Sequence, residues 1–178
     1  MKKVIIISSS PVMGGNSDRL CDEFLRGARE AGNSVEKVFL RHHRIHFCSG
    51  CRMCDNESIF CSQKDDAVDI IRDMLRADVI VLATPCYFSS MSAQLKTLID
   101  RCLAAYRQMG GKEFYFIVTG SSDDRRMLYP VVKSLEEFVL TLRDSRLCGV
   151  LYGAGLHCSG AYMEPALLER ACSMGRSV

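Results

Sequence analysis

The sequence lacks most of the features that assign a protein quickly. No run of apolar residues is long enough to span a bilayer. The opening MKKVIIISSS sets two lysines before an apolar run, but that run covers only Val4 to Ile7, too short for the core of a secretion signal. With no export signal, the expected compartment is the cytoplasm. A formal charge of +2 and the absence of a long basic stretch argue against nucleic acid as a partner. There is no GxxxxGK followed by Ser or Thr, so nucleoside triphosphate binding is not expected. There is no GxGxxG, so the common dinucleotide fingerprint is missing too. Repeats, low-complexity tracts and internal linkers are absent, and 178 residues are read as one domain, 1–178, with enough chain for a full core.

Cysteine, by contrast, is plentiful, with ten in the chain. In a reducing compartment these are expected to be thiols or metal ligands, not a disulfide scaffold. Cys21, Cys86, Cys102, Cys148, Cys158 and Cys172 are scattered, and most read as small buried hydrophobes. The other four fall in CSGCRMCDNESIFC, where Cys48, Cys51, Cys54 and Cys61 are spaced C-x2-C-x2-C-x6-C. Successive x2 spacings set thiolates on one tight loop, which suits a 4Fe–4S cluster. Zinc sites more often use two separated pairs. Free thiols, or disulfides formed in air, are the plain alternative.

Hydrophobic patterning alternates between strand and helix. KVIIIS (3–8), SVEKVFLRH (34–42), DVIVLATP (78–85), EFYFIVTG (113–120) and LCGVLYGAG (147–155) read as strands. Helices are predicted over 16–32, 65–77, 92–110, 129–144 and 164–175 from apolar spacing and end signals. Asp65 and Asp66 open the second of these, where they favour the positive end of its dipole. The fold class is therefore α/β: a doubly wound, five-stranded parallel sheet with helices on both faces. Strand 2 is the most polar, as an edge would be, which favours the order 2-1-3-4-5. Ligands of such sheets bind outside the carboxyl ends of the strands, at the switch between strands 1 and 3.

The loops after the strands carry the functional signal. SSSPVMGGNSDRL, Ser8 to Leu20, is rich in hydroxyls and glycine and opens a helix, which suits a phosphate. No cysteine follows strand 1, which excludes a phosphatase-type thiol there. ATPCYFSSMSAQLK, Ala83 to Lys96, sets Tyr87 and Phe88 on a strand-end loop, where rings could cover a flat aromatic ligand. The same loop offers no acidic residue at the end of strand 3, as a receiver domain would need. His157, after strand 5, reads as a surface or interface histidine.

SSSPVMGGNS, ATPCYFSSMSAQLKTLIDR and VTG together resemble the NAD(P)H-dependent FMN reductase family, a branch of the flavodoxin-like fold. With CSGCRMCDNESIFC the chain is similar to the iron–sulfur flavoproteins within it. The resemblance implies an FMN-dependent oxidoreductase in which Ser9, Ser10, Asn16 and Ser17 cradle the phosphate. Pro85, Cys86, Tyr87, Phe88 and Ser89 would line the isoalloxazine, with Thr119 and Gly120 at its far edge. Cys48, Cys51, Cys54 and Cys61 would hold a 4Fe–4S cluster. No side chain is assigned as catalytic, because the flavin carries the chemistry. Lys96, Asp100 and Arg101 are expected in ion pairs or a subunit contact. The electron donor is expected to be NAD(P)H or ferredoxin, and the basic stretch Arg41, His42, His43 and Arg44 could dock the latter. The acceptor stays open among quinones, nitro compounds, peroxide and other flavins. A homodimer or homotetramer is implied. The rival reading is a non-enzymatic flavodoxin-like module with a structural zinc.

Overall fold

The structure is a computed structural model, and it describes residues 1–55, 61–157 and 163–178. Five strands lie parallel: β1 (Lys3–Ser8), β2 (Ser34–Phe39), β3 (Val79–Tyr87), β5 (Glu113–Thr119) and β6 (Arg146–Gly153). Between β3 and β5 comes a two-residue strand, β4 (Ser90–Met91), antiparallel to β3. The order is β2-β1-β3-β5-β6, the expected doubly wound arrangement with the half-polar strand at one edge. The helices are α1 (Asn16–Glu30), α2 (Ala67–Arg76), α3 (Ala93–Arg101), α4 (Tyr129–Leu140) and α5 (Pro165–Arg176).

Alternation along the strands sorts the core into two layers. Ile5, Ile7, Ile80, Leu82, Phe114 and Phe116 face α2, α3 and α4. Val4, Ile6, Val79, Val81, Tyr115 and Ile117 face α1 and α5. On that second side α1 and α5 pack backbone to backbone. A Cβ added at Gly27 would lie 1.9 Å from the carbonyl oxygen of Cys172, and one at Gly175 would lie 2.1 Å from that of Phe24. On the first side the buried Lys112 donates to the carbonyls of Leu75 (2.9 Å) and Ala77 (2.5 Å), which closes the end of α2 against the start of β5. Among the described residues no helix is long and apolar enough to cross a membrane.

The expected long helix over 92–110 is shorter. α3 ends at Arg101, and the chain continues as two 3-10 turns, Cys102–Ala104 and Tyr106–Gln108. The apolar stripe of Leu95, Leu98, Cys102, Ala105 and Met109 is buried throughout. Burial periodicity was therefore right, but it does not distinguish the two hydrogen-bond patterns. The strand expected to end at Pro85 instead runs to Tyr87, because its last residues pair with β4.

The β3–β4 turn has Phe88 and Ser89 at its centre, with φ of 48° and 59°. Both are left-handed, as a type I′ hairpin turn requires, and neither is the Asn or Gly that adopts this region easily. Replacing the pair by Asn-Gly is expected to raise stability by about 1–2 kcal/mol. An unchanged or lower urea midpoint for Phe88→Asn/Ser89→Gly would show that the turn stores no strain.

Candidate functional site

A cleft of about 290 Å³ lies over the carboxyl ends of β1, β3 and β5, at the sheet's switch point. Ser10, Val12, Gly15, Asn16 and Ser17 form one wall, Pro85, Cys86 and Tyr87 a second, and Thr119, Gly120 and Ser121 a third. Leu156 and His157 close the mouth, and His157 Nε2 stands 3.8 Å from Asp123 Oδ1.

The first wall is a tight turn feeding a helix. Gly15 N–H donates to Val12 C=O at 3.1 Å, and Ser10 Oγ accepts from Val12 N–H at 3.1 Å. Gly14 sits at φ 68°, and a Cβ on Gly15 would press to 2.9 Å from the Val12 carbonyl oxygen. Helix α1 starts at Asn16, with Gly15 at the N-cap position and no side-chain cap hydrogen bond. An uncapped helix start presents backbone N–H groups and the positive end of the dipole, the usual means of holding an anion. Asp18 fastens the turn from behind, accepting from Gly14 N–H (2.9 Å), Ser8 Oγ (3.1 Å) and Lys37 Nζ (3.0 Å).

Hydroxyl groups brace the walls against one another. Ser17 Oγ and Thr119 Oγ1 are 2.7 Å apart and buried, joining α1 to β5. Ser9 Oγ donates to Ala83 C=O at 2.7 Å, and Ser92 Oγ donates to Ser9 Oγ at 2.9 Å, joining β1 to β3 and to the start of α3. Asn16 Nδ2 donates to Leu156 C=O at 3.2 Å.

Ser10, Asn16, Ser17, Pro85, Cys86, Tyr87, Thr119 and Gly120 line one cleft. Ser9 lies behind the wall, fully buried. Phe88 and Ser89 stand at the hairpin tip, where Phe88 is fully exposed to solvent. Arg41, singled out in the sequence only as part of a basic stretch, donates its guanidinium to the Pro11 carbonyl and so sets a cation beside the first wall. Nearby, Asp66 accepts from the Arg44 backbone N–H at 2.7 Å and lies 3.7 Å from His43 Nδ1.

The cysteine loop follows β2 in the chain and packs on the helix layer, where Cys48 shares a cavity with Asp100, Cys102, Phe138 and Thr141. Cys48 and Cys51 are exposed, and Cys54 and Cys61 half-buried. Among the described residues no three ligating side chains are gathered closely enough to hold a metal. Residues 56–60, inside the loop, and the scattered Cys158 lie outside the described residues. The loop supplies four cysteines, the donor type a thiolate-bound metal would need, but the structure does not gather them around one point. The ring of four ligands is not preformed.

The thiols differ in reactivity for visible reasons. The Met53 backbone N–H, with the Ser49 hydroxyl, holds Cys51 below the ordinary thiol pKa. Burial pushes Cys86 up, and pushes Cys102 up to about 12. Iodoacetamide at neutral pH under reductant is expected to label Cys51 first, Cys86 slowly and Cys102 last, as read by peptide mass spectrometry. Labelling of Cys86 ahead of Cys51 would contradict this order.

The sheet order, with a hydroxyl-lined cleft and a helix start at its switch point, defines a flavodoxin-like α/β protein. Comparison with known proteins narrows this. The family described as NADPH-dependent FMN reductase matches residues 2–138, and the chain belongs to that family. An iron-sulfur flavoprotein of Archaeoglobus fulgidus is 36% identical over 101 residues, 57% of this chain and 46% of that protein. Another, of Methanocaldococcus jannaschii, is 42% identical over 99 residues, 56% of this chain and 51% of that one. The chain thus spans about half the length of these curated relatives. The solved structure of an NAD(P)H:quinone oxidoreductase from Methanothermobacter marburgensis shares the fold, with a TM-score of 0.76 at 18% identity over 99% of this chain and 95% of that one.

Proposed function

We propose that this protein is an FMN-dependent oxidoreductase that takes electrons from NAD(P)H. The observation that carries the reading is the uncapped start of α1, opening with Ser10, Asn16 and Ser17 onto the cleft at the switch point. The FMN phosphate would sit there, held by helix N–H groups and hydroxyls, with Arg41 adding charge from the rim. Pro85, Cys86 and Tyr87 would run along the ring system, with Thr119 and Gly120 at its far edge. Ser9 would act one layer back, fixing the backbone, and Phe88 with Ser89 would reach the ring only from the hairpin tip. Bound FMN would supply hydride or single-electron transfer. The raised pKa of Cys86 keeps it a neutral thiol beside the cofactor.

Purified protein mixed with FMN is expected to retain close to one flavin per chain. Gly15→Val crowds Val12 and is expected to lower FMN affinity by roughly 10–100-fold, the effect of one or two lost hydrogen bonds to a charged group. Wild type that stays colourless at micromolar FMN would remove the proposal. Stopped-flow reduction by NADH, NADPH and reduced ferredoxin then identifies the donor.

A second reading concerns the loop. Its C-x2-C-x2-C-x6-C spacing and the names of the relatives support a 4Fe–4S cluster on Cys48, Cys51, Cys54 and Cys61, with ferredoxin as a possible single-electron donor. Such a cluster would relay electrons singly. Sedimentation tests the homodimer or homotetramer that the family resemblance implies.

A further inference from the structure

After β5 the chain passes Ser121, which lines the cleft, and forms a short 3-10 turn, Arg125–Leu128, before α4. That turn is fastened to the cleft from behind. Leu128 packs on Gly120 so closely that a Cβ there would lie 2.7 Å from Leu128 Cδ2. The thiol of Cys86 donates to the Met127 carbonyl at 3.7 Å. At the head of the turn, Arg125 sets its guanidinium over the ring of Tyr152, with Cζ 3.7 Å from the ring centroid. Tyr129 meets the same ring edge-on at 5.9 Å.

The acids nearby face other partners. Asp124 accepts from Arg126 N–H at 2.9 Å, and its oxygens take the Arg126 guanidinium at 2.8 to 3.0 Å. Asp123 stands 3.8 Å from His157 Nε2. Among the described residues no carboxylate pairs with Arg125, which is exposed. An arginine over an aromatic face is held in place and gives up little hydration. Its N–H edges stay available to an anion, which a guanidinium grips through two parallel hydrogen bonds. The fold has no evident need of them, since Asp124 caps the turn and Tyr152 packs against the core.

We infer that Arg125, stacked on Tyr152, anchors the 2′-phosphate of NADPH and so selects NADPH over NADH. This rests on the reading of the cleft as a flavin site reduced by a nicotinamide nucleotide. That reading sets the nicotinamide at the ring end of the cleft, along Pro85, Cys86 and Tyr87, so the adenosine end of the donor must lead out of it. The contacts of Met127 with Cys86 and of Leu128 with Gly120 put the Arg125 turn at that end. Arg41 stands at the opposite wall, against Pro11, where the FMN phosphate belongs. NADPH differs from NADH only in its 2′-phosphate, a group with roughly two negative charges at neutral pH. An exposed cation without a counter-ion tells the two apart by charge. Met127 and Tyr129, both half-exposed, offer apolar surface for the adenine beside it.

The test compares full-length, FMN-loaded wild type with Arg125→Gln, Arg125→Lys and Tyr152→Phe, each checked for folding by thermal melting. Stopped-flow reduction of the flavin gives the apparent affinity for NADPH and for NADH. Calorimetry gives the affinity for 2′,5′-ADP and for 5′-AMP, which carry no nicotinamide and undergo no redox step. Wild type is expected to favour NADPH over NADH, and 2′,5′-ADP over 5′-AMP, by roughly tenfold or more, the scale of a charge-assisted hydrogen bond. Arg125→Gln is expected to lose both preferences. Arg125→Lys should keep part of each, having the charge without the fork, and Tyr152→Phe should keep both, because the ring remains. Equal preferences in wild type and Arg125→Gln overturn the subsite and leave the flavin reading intact. So does a wild type that takes NADH as readily as NADPH. Flavin that neither nucleotide reduces overturns the donor reading and this inference with it.

Discussion

Replacing Asp65 with alanine is expected to lower the free energy of unfolding by about 3–5 kcal/mol, the effect of stranding a buried charge. The side chains of Arg101 and Asp65 are 0% and 3% exposed, so solvent screens the pair little. Asp65→Ala leaves the guanidinium with two backbone carbonyls and also frees the N–H groups of His46 and Ala67, both of which Asp65 accepts. The effect should depend on pH with a definite sign. Burial works to raise the pKa of Asp65, but hydrogen bonds from Arg101 and the His46 backbone outweigh it and hold the group below its ordinary 3.8. The folded state therefore binds its proton less readily than the unfolded chain. The stability this gives is full above 3.8 and is lost as pH falls through the lower folded value. Urea denaturation should show a large gap between wild type and Asp65→Ala at neutral pH, closing in acid. A gap that does not close, or one below about 1 kcal/mol, the scale of an exposed pair, would mean that solvent reaches the pair.

The second large effect is at the crossing of α1 and α5. Helix propensity alone predicts that Gly27→Ala stabilises by about 1 kcal/mol. Crowding predicts the reverse. The new Cβ would meet the carbonyl oxygen and carbon of Cys172 at 1.9 and 2.8 Å, and the Arg176 nitrogen at 3.0 Å. All three are backbone atoms, so no rotamer change relieves the contact and the helices must part. Overpacking of this kind costs about 3 kcal/mol, leaving a net loss of about 2 kcal/mol. Parting the helices would also loosen the packing of Phe24, whose ring meets Tyr115 edge-on at 5.4 Å. A raised melting temperature for Gly27→Ala would show that the helices have room to spare.

These two sites mark where sequence reasoning stopped. The buried strands were legible because their β-branched runs match what a doubly covered sheet requires, and the polarity of Ser34–Phe39 marked it as an edge. The phosphate wall was legible because Ser, Gly and Asn cluster where a strand feeds a helix. Arg101 is expected in an ion pair or a subunit contact, and it does pair, but nothing in a linear pattern shows that its partner is Asp65, 36 residues away, or that the two are buried together. Asp65 was assigned to a helix dipole, yet α2 begins only at Ala67, and the carboxylate turns to Arg101 instead. The β3–β4 hairpin was missed because Phe88-Ser89 has none of the residues that favour left-handed backbone. Ser9 could not be told from Ser10 by type, although one hydroxyl is turned inward and the other lines the cleft.

The braces between the cleft walls, Ser17 with Thr119 and Ser9 with Ser92, are made of uncharged hydroxyls. Ionic strength acts on them far less than on the exposed ion pairs elsewhere on the chain, whose attraction falls off within about 3 Å at 1 M salt. Wall spacing should therefore persist in concentrated salt. A salt titration of FMN binding would then report the attraction between the phosphate and its positive surroundings, free of any change in the shape of the cleft.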